Sequence, residues 1–241
     1  MRKISIIILI GLSISCSNNR DDNGLLWRIV SKDGKTGFIY GTIHLYPDDQ
    51  IKISDKVFTL LKQCGTLALE RNIKDSLDQR IFQEQINNFE TIFKPYQVIF
   101  DKYGTGLINM EAELITIAET NNLKLVGLET STELLDIMSK IPNSDRNVTN
   151  KSILEFYEMT IGLYNEERID LYADTYLNKE LGVETRKIMV NERNKNWLDN
   201  IEYLITQDNV FIGVGMGHLG GEKGLLNLLL KKGYKLERIK I

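Results

Sequence analysis

The chain has 241 residues, of which 33 are acidic and 30 are basic, so its formal charge is −3 at neutral pH. A slightly acidic chain without a run of basic residues argues against nucleic acid as a partner. The length suits one large domain or two small ones, with ample material for a hydrophobic core.

The first residues have the pattern of an export signal. A basic start, residues 1–3, precedes an apolar segment, residues 4–12, that is too short to span a membrane as a stable helix. Small residues then lead to Cys16, as in lipoprotein signals whose cleavage leaves a lipidated cysteine first. An ordinary secretory signal with an unrelated cysteine is the alternative. We predict a signal peptide over residues 1–15, a polar tether over 16–24, and an envelope protein anchored to the membrane by lipid on Cys16.

The remaining residues, 25–241, are predicted to form one α/β domain. It opens with a hairpin of strands 25–30 and 37–41, and the second strand leads into His44, which closes a Gly-x-x-His sequence. A helix over residues 54–62 follows, with Ser54 as a plausible N-cap.

The middle of the chain supplies two strands that each end in a carboxylate. Strand 65–70 is apolar until Glu70, and strand 124–128 is followed by Glu129. Residues 74–120 between them are mostly helical in pattern. A break is expected at Lys94-Pro95. The remaining expectations here are a loop over residues 101–106 and a helix over residues 111–121.

The last part of the chain carries a glycine-rich turn around the second histidine. Residues 131–191 are predicted to be helical, with a loop at 141–147 and turns near Gly162 and Gly182, and residues 184–205 to form one long helix. Because these helices fall between two strands, we expect an insertion that covers the ligand edge of the sheet. Buried strand 210–214 then leads to His218. Helix 224–232, stopped by Gly233, and edge strand 234–241 complete the chain.

Four polar residues lie at the ends of predicted strands: His44, Glu70, Glu129 and His218. If those strands share a mainly parallel sheet, the side chains converge at one edge, where ligands bind in open α/β sheets. Imidazole and carboxylate ligands suit zinc, manganese, cobalt or iron. A metal there would activate water and polarise a carbonyl, as amide or ester hydrolysis requires. Arg193 could then bind a substrate carboxylate or an oxyanion.

Each residue also has a purely structural interpretation. A histidine at a strand end is often simply hydrogen-bonded, although the chain contains only two, and both follow a Gly-x-x sequence. Glu70 and Glu129 could each cap a following helix. Glu192-Arg193 alone would suit a solvated helix face. It is the expected convergence that favours a site.

The motifs, taken in order, resemble those of the TraB/GumN family, which includes the Tiki proteases and the pheromone-shutdown proteins. They are Gly41-Thr-Ile-His44, Leu-Ala-Leu-Glu70, Gly127-Leu-Glu129-Thr130, Glu192-Arg193-Asn194 with Trp197, and Gly213-Val-Gly-Met-Gly-His218. The resemblance covers residues 25–241. One difference is Asn109, where relatives often have an aspartate.

The resemblance implies an erythromycin-esterase-like fold: a mainly parallel central sheet, flanking helices and a helical insertion over the site. From the Tiki branch it implies metal-dependent proteolysis of a peptide or protein. His44, His218 and Glu70 would be catalytic and would bind the metal, manganese, cobalt or zinc, with Glu129 and Arg193 as further site residues. The alternatives are a non-catalytic protein that binds a peptide or cofactor, as the pheromone-shutdown resemblance allows, and a metal-free hydrolase in which a histidine acts as general base.

Overall fold

The computed structural model describes residues 23–142, 149–207 and 209–241. The strands in these ranges are β1 (Leu26–Val30), β2 (Thr36–Thr42), β3 (Leu45–Pro47), β4 (Thr66–Leu69), β5 (Leu107–Asn109), β6 (Lys124–Gly127), β7 (Val210–Gly215) and β8 (Lys235–Ile239). The α-helices are α1 (Asp55–Leu61), α2 (Ser76–Gln85), α3 (Glu90–Tyr103), α4 (Met110–Thr120), α5 (Ser131–Ser139), α6 (Asn150–Asn165), α7 (Ile169–Leu171), α8 (Leu177–Leu181), α9 (Val183–Arg186), α10 (Arg193–Gln207) and α11 (Leu225–Lys232).

Six of the described strands form the central sheet, in the order β6-β4-β7-β2-β1-β8. The pairs β6–β4, β4–β7 and β7–β2 are parallel, whereas β1 is antiparallel to both of its neighbours, β2 and β8. The predicted mainly parallel α/β sheet with flanking helices is therefore confirmed. As a consequence, the C-terminal ends of β6, β4, β7 and β2 lie side by side at one edge.

Strand β7 lies inside the sheet, between β4 and β2, as the sequence predicts for a central strand. Val210, Phe211, Ile212 and Val214 are all fully buried, as expected of a strand covered on both faces. Helix α4 packs against β4 and β6, while α11 packs against α10 and β8. Gly233 ends α11 in the left-handed conformation, as predicted from the sequence.

Several local predictions are wrong. Helix α3 runs through Pro95, because a proline in the second helical turn removes only one hydrogen bond near the helix start. The same helix extends to Tyr103, so much of the expected loop 101–106 is helical. Gly162 lies inside α6, whereas Gly182 makes the predicted turn with a φ of 74°. The short antiparallel pair β3–β5 was not foreseen.

The long helix predicted over residues 184–205 is continuous, but its backbone geometry is mixed. Between α9 and α10, residues Lys187–Glu192 form a π-helix, and a second π-helical segment spans Tyr172–Tyr176. Such segments are rare and frequently occur at functional sites. Here one of them ends directly before Arg193.

Some predictions concern residues that the structure does not describe. The signal peptide, Cys16 and most of the tether lie before residue 23, and residues 143–147 of the expected loop fall in a gap. Among the described helices, none is both long and apolar enough to cross a membrane.

Candidate functional site

Neighbouring parallel strands bring the predicted site residues to one edge of the sheet. Leu69 of β4 is in register with Gly127 of β6 and with Gly213 of β7, so Glu70 and Glu129 both emerge just beyond adjacent strand ends. On the other side of β7, Thr42 of β2 is in register with Gly215, and His44 follows two residues later. The structure therefore brings together residues that are far apart in sequence.

Gly215 keeps open the space between three of these side chains. A Cβ atom at this position would lie 3.3 Å from Glu70 Oε1, 3.7 Å from His218 Cδ2 and 3.9 Å from His44 Nε2. His218 itself closes the short 3₁₀ turn Met216–His218 that follows β7. Glycine at position 215 thus leaves room beside both imidazoles and the carboxylate.

The His44 imidazole is oriented by a carboxylate from helix α4. Its Nδ1 lies 2.9 Å from Glu111 Oε1, and because a carboxylate only accepts, Nδ1–H is the donor. Thr42 Oγ1 donates to the same oxygen at 2.7 Å. Nε2 therefore faces the space beside Gly215, and the side chain remains 42% exposed.

The His218 imidazole is oriented by an amide from helix α10. Its Nδ1 lies 2.6 Å from Asn194 Oδ1, and Asn194 Nδ2 donates to the carbonyls of His218 and Lys223. Since the amide nitrogen is used on those carbonyls, Oδ1 is the acceptor and Nδ1–H of His218 is the donor. In their neutral forms both histidines therefore direct an Nε2 lone pair into the site, which is the tautomer of a metal-ligating histidine held by a second residue.

Glu70 connects the histidines to the sheet and to Arg193. Its Oε1 accepts from the backbone N–H of Gly215 at 2.8 Å and lies 3.7 Å from His218 Nε2, while Oε2 accepts from Arg193 Nη2 at 2.6 Å. Each oxygen is therefore fixed by one donor. Oε1 is the oxygen that faces the imidazole.

Arg193 has an acceptor for each of the five N–H bonds that a guanidinium carries. Nε and Nη2 donate to Glu129, Nη2 also donates to Glu70, and Nη1 donates to the carbonyl of Met189 and toward His218 Nε2 at 3.4 Å. The π-helical segment before Arg193 supplies the Met189 carbonyl. In this arrangement Arg193 holds other site residues in place and has no N–H left for a substrate.

Glu129 belongs to the Arg193 side of the site. Both of its oxygens accept from the Arg193 guanidinium, and Oε2 also accepts from Trp197 Nε1 at 3.0 Å. The Trp197 ring lies 4.5 Å from the His218 ring, centroid to centroid. The predicted metal ligand Glu129 thus uses both oxygens on protein donors and lies behind Arg193.

The pKa values reflect this arrangement. Burial by itself raises the pKa of Glu70, but the charge of Arg193, followed by the two imidazoles, outweighs burial and lowers that pKa far below its usual range. Burial lowers the pKa of His218 to about 3, despite the nearby Glu70. For His44 the charge of Glu111 is the largest influence and raises the pKa well above the ordinary value. The surroundings thus shift the pKa values of the two histidines in opposite directions.

The donor chemistry of the site fits a divalent cation. Three carboxylates are largely buried here: those of Glu70 and Glu129 pair with Arg193, and that of Glu111 pairs with His44. Within the described ranges, Glu111 Oε2 is buried without a hydrogen-bond partner. No three His, Cys, Asp or Glu side chains of those ranges are already spaced to hold a metal ion, and Arg193 Nη1 lies against His218 Nε2 instead. For His218 Nε2 to bind a cation, the Arg193 guanidinium would therefore have to move away from it.

Two orienting residues were not assigned from the sequence. Glu111 was seen only as the start of a helix, and Asn194 only as part of a motif beside Arg193. No local pattern distinguishes them, since their partners lie 67 and 24 residues away in the chain. Asn109, by contrast, is the N-cap of α4 and accepts from the backbone N–H of Ala112.

The chain matches the model of a known protein family. The model of the TraB/PrgY/gumN family matches residues 25–95 and 93–238, which is nearly all of the domain. Searches of the curated proteins and of the solved structures gave no significant match.

Proposed function

Because the chain belongs to the TraB/PrgY/gumN family, we propose that it is a metal-dependent hydrolase that cleaves peptides or proteins at the carboxyl edge of its sheet. The observation that carries the proposal is the orientation of the two imidazoles. Glu111 and Asn194 each hold an Nδ1, which leaves both Nε2 atoms beside Glu70 and the open face of Gly215. Such paired orientation supports a ligand set and is more than either histidine needs for packing.

The residues that would hold the ion are His44 and His218, through Nε2, and Glu70, through Oε1. A bound manganese, cobalt or zinc ion would lower the pKa of a water and polarise the scissile carbonyl. Glu129 is left out of the ligand set because Arg193 and Trp197 use both of its oxygens. Its part is to hold Arg193 in place.

Arg193 has a second part in this proposal. When Nη1 leaves His218 Nε2, one N–H of the guanidinium becomes available while Glu129 still holds Nε and Nη2. That N–H could donate to a substrate carboxylate or to an oxyanion, as charge-assisted donors do in hydrolytic sites. Trp197 is fully buried, and its ring packs against both Arg193 and His218.

A metal-free hydrolase is the second candidate, and one observation favours it. The His44 imidazole is half-exposed, paired with Glu111, and has a raised pKa. A histidine oriented by a carboxylate at the surface of a cleft can act as a general acid or base without a metal. The two candidates differ in whether turnover requires an ion, and a non-catalytic binding protein would show no turnover with or without one.

Removing both histidines tests whether the protein has the proposed metal site. In the variant His44→Ala, His218→Ala we expect metal affinity to fall by more than about 100-fold, because losing ligands weakens binding more than losing their orienting partners. The measurement is elemental analysis after chelation and reloading with manganese, cobalt or zinc. Cys64→Ser is the matched control, since Cys64 lies just before β4, at the opposite end of that strand from Glu70.

Undiminished metal content in the double variant would remove the metal site. Wild-type protein that cleaves peptides equally well after chelation would support the metal-free candidate. Absence of cleavage under both conditions would favour a binding protein.

We also propose that the protein is anchored in the cell envelope by lipid on Cys16. In the Cys16→Ser variant we expect the protein to leave the membrane fraction, because a polar tether alone provides no anchor. Immunoblots of membrane and soluble fractions measure this, and Cys64→Ser again serves as control. A Cys16→Ser protein that still sediments with membranes as the wild type does would contradict lipidation.

A further inference from the structure

Helices α2 and α3, joined by the 3₁₀ turn Ile86–Phe89, form an arm that carries many half-exposed apolar side chains. We call this segment the α2–α3 arm. Neither α2 nor the 3₁₀ turn buries a side chain fully. The partly exposed apolar residues of the arm are Ile81, Phe82, Ile86, Phe89, Ile92, Phe93 and Tyr96. None of these residues belongs to the main hydrophobic core.

Three aromatic side chains of the arm follow one another in space, beginning next to His44 of the candidate site. The ring centroids of His44 and Tyr96 lie 6.4 Å apart, those of Tyr96 and Phe93 lie 6.1 Å apart, and those of Phe93 and Phe82 lie 6.1 Å apart. We call Tyr96, Phe93 and Phe82 the aromatic row. It begins at an imidazole that the proposed function places in the catalytic site.

The far end of the row is fixed in position. The Arg71 guanidinium stacks on Phe82, with Cζ 3.8 Å from the ring centroid. Arg71 in turn donates to Asp78 of α2 and to Ser131 of α5, and Asp78 also accepts from the backbone N–H of Ser131. These contacts tie α2 to the start of α5. The row is therefore held at both ends and is not a loose surface.

We propose that the aromatic row is a substrate subsite that binds apolar or aromatic side chains of an extended peptide next to the bond being cleaved. The proposal rests on the hydrolase function above. An extended chain rises about 3.3 Å per residue, so side chains on the same face recur about every 6.6 Å. This recurrence closely matches the ring spacings of 6.1 to 6.4 Å. Alternate side chains of a bound peptide would each meet one ring.

The charge of the arm favours a peptide over a membrane surface. Helices α2 and α3 with their connecting turn carry Asp78, Glu84, Glu90 and Asp101 against Arg80, Lys94 and Lys102. Segments that lie on anionic membranes are instead rich in lysine and arginine. The row also leads toward His44, as a substrate subsite requires.

The test is a binding measurement that does not depend on turnover. The probes are a fluorescein-labelled Ser/Gly peptide with a central Phe-Ser-Phe segment and its counterpart with Ala-Ser-Ala, titrated with the metal-loaded mature protein. In Phe93→Ala we expect affinity for the Phe probe to fall about tenfold, because an aromatic partner is lost, and the Ala probe to bind weakly throughout. Phe82→Ala, at the other end of the row, should repeat the loss.

Phe100→Ala is the matched control, because Phe100 lies on the same helix, is 49% exposed and is outside the row. Its affinity for the Phe probe should equal that of the wild type. Metal content and far-UV circular dichroism of the variants show that site and fold are intact.

Equal affinity of the wild type, Phe93→Ala and Phe82→Ala for the Phe probe would overturn the subsite. An equal loss of affinity in Phe100→Ala would also overturn it, because that would indicate general apolar adhesion. The same holds if the row variants lose binding only to phosphatidylcholine vesicles, measured in parallel, and not to the Phe probe. Wild-type protein that binds the Phe probe through the row but cleaves no peptide would disprove the hydrolase and leave the aromatic row as a peptide-binding site.

Discussion

Replacing Glu70 by glutamine is expected to lower kcat/KM for peptide cleavage by about 10²- to 10⁴-fold, the range for loss of a general acid or base, and to remove metal binding if Glu70 is a ligand. The carboxylate accepts from Gly215 N–H through one oxygen and from Arg193 through the other. An amide has only one acceptor oxygen, so its NH₂ group must face one of these two donors. Both the negative charge and one contact are therefore lost together.

The Glu70→Gln substitution is also expected to change how the stability of the protein depends on pH. Arg193 holds the pKa of Glu70 below that of an unfolded glutamate, although burial opposes this. The ionised side chain therefore adds stability above the unfolded pKa, and this contribution disappears as the pH falls through the folded pKa. We expect Glu70→Gln to lower the free energy of unfolding by at most about 3 kcal/mol at neutral pH, the value of a hydrogen bond to a charged group.

Glu113→Gln is the control for this prediction. Glu113 lies one turn into α4 and accepts from Tyr46 Oη at 2.5 Å, a bond that glutamine can preserve. It should retain wild-type cleavage and metal content. If Glu70→Gln also retained both, Glu70 would be a structural residue and the proposed centre would be wrong.

Replacing Glu129 by alanine is expected to lower the free energy of unfolding by about 3 to 5 kcal/mol, the usual result of removing one partner of a buried ion pair. Arg193 is only 5% exposed and would keep Glu70 as its sole carboxylate partner. Trp197 Nε1, also buried, would lose its acceptor. Urea unfolding monitored by circular dichroism measures the effect.

Two further variants test whether the loss of stability comes from the buried ion pair. Glu129→Gln keeps an acceptor for Trp197 and should be less destabilised than Glu129→Ala, with metal content near that of the wild type. Glu237→Ala removes the exposed partner of Arg28 and should change stability by less than about 1 kcal/mol. A Glu129→Ala protein as stable as Glu237→Ala would show that Arg193 needs no second carboxylate. Loss of metal from Glu129→Gln would restore Glu129 as a ligand.

The sequence was sufficient to predict the architecture where apolar patterns were long and clearly ended. Strands β4, β6 and β7 could be located because each is an apolar run that ends at a charged residue or a glycine. Since these strands and β2 run parallel, His44, Glu70, Glu129 and His218 lie at one edge of the sheet. Local signals failed where a single residue was read alone. Pro95 and Gly162 both lie within helices, since the packing of a whole helix outweighs one unfavourable residue.

The partners of the site residues were decided only by the tertiary structure. Glu111 orients His44, Asn194 orients His218, and Arg193 donates to both oxygens of Glu129. The Arg193–Glu129 and His44–Glu111 contacts join residues 64 and 67 positions apart in the chain. Helical and strand periodicity relate only residues that are close in sequence, so they cannot predict these contacts. Sequence thus determined which side chains reach the edge of the sheet. The packing of α4 and α10 against that edge determined what each side chain can bind once it is there.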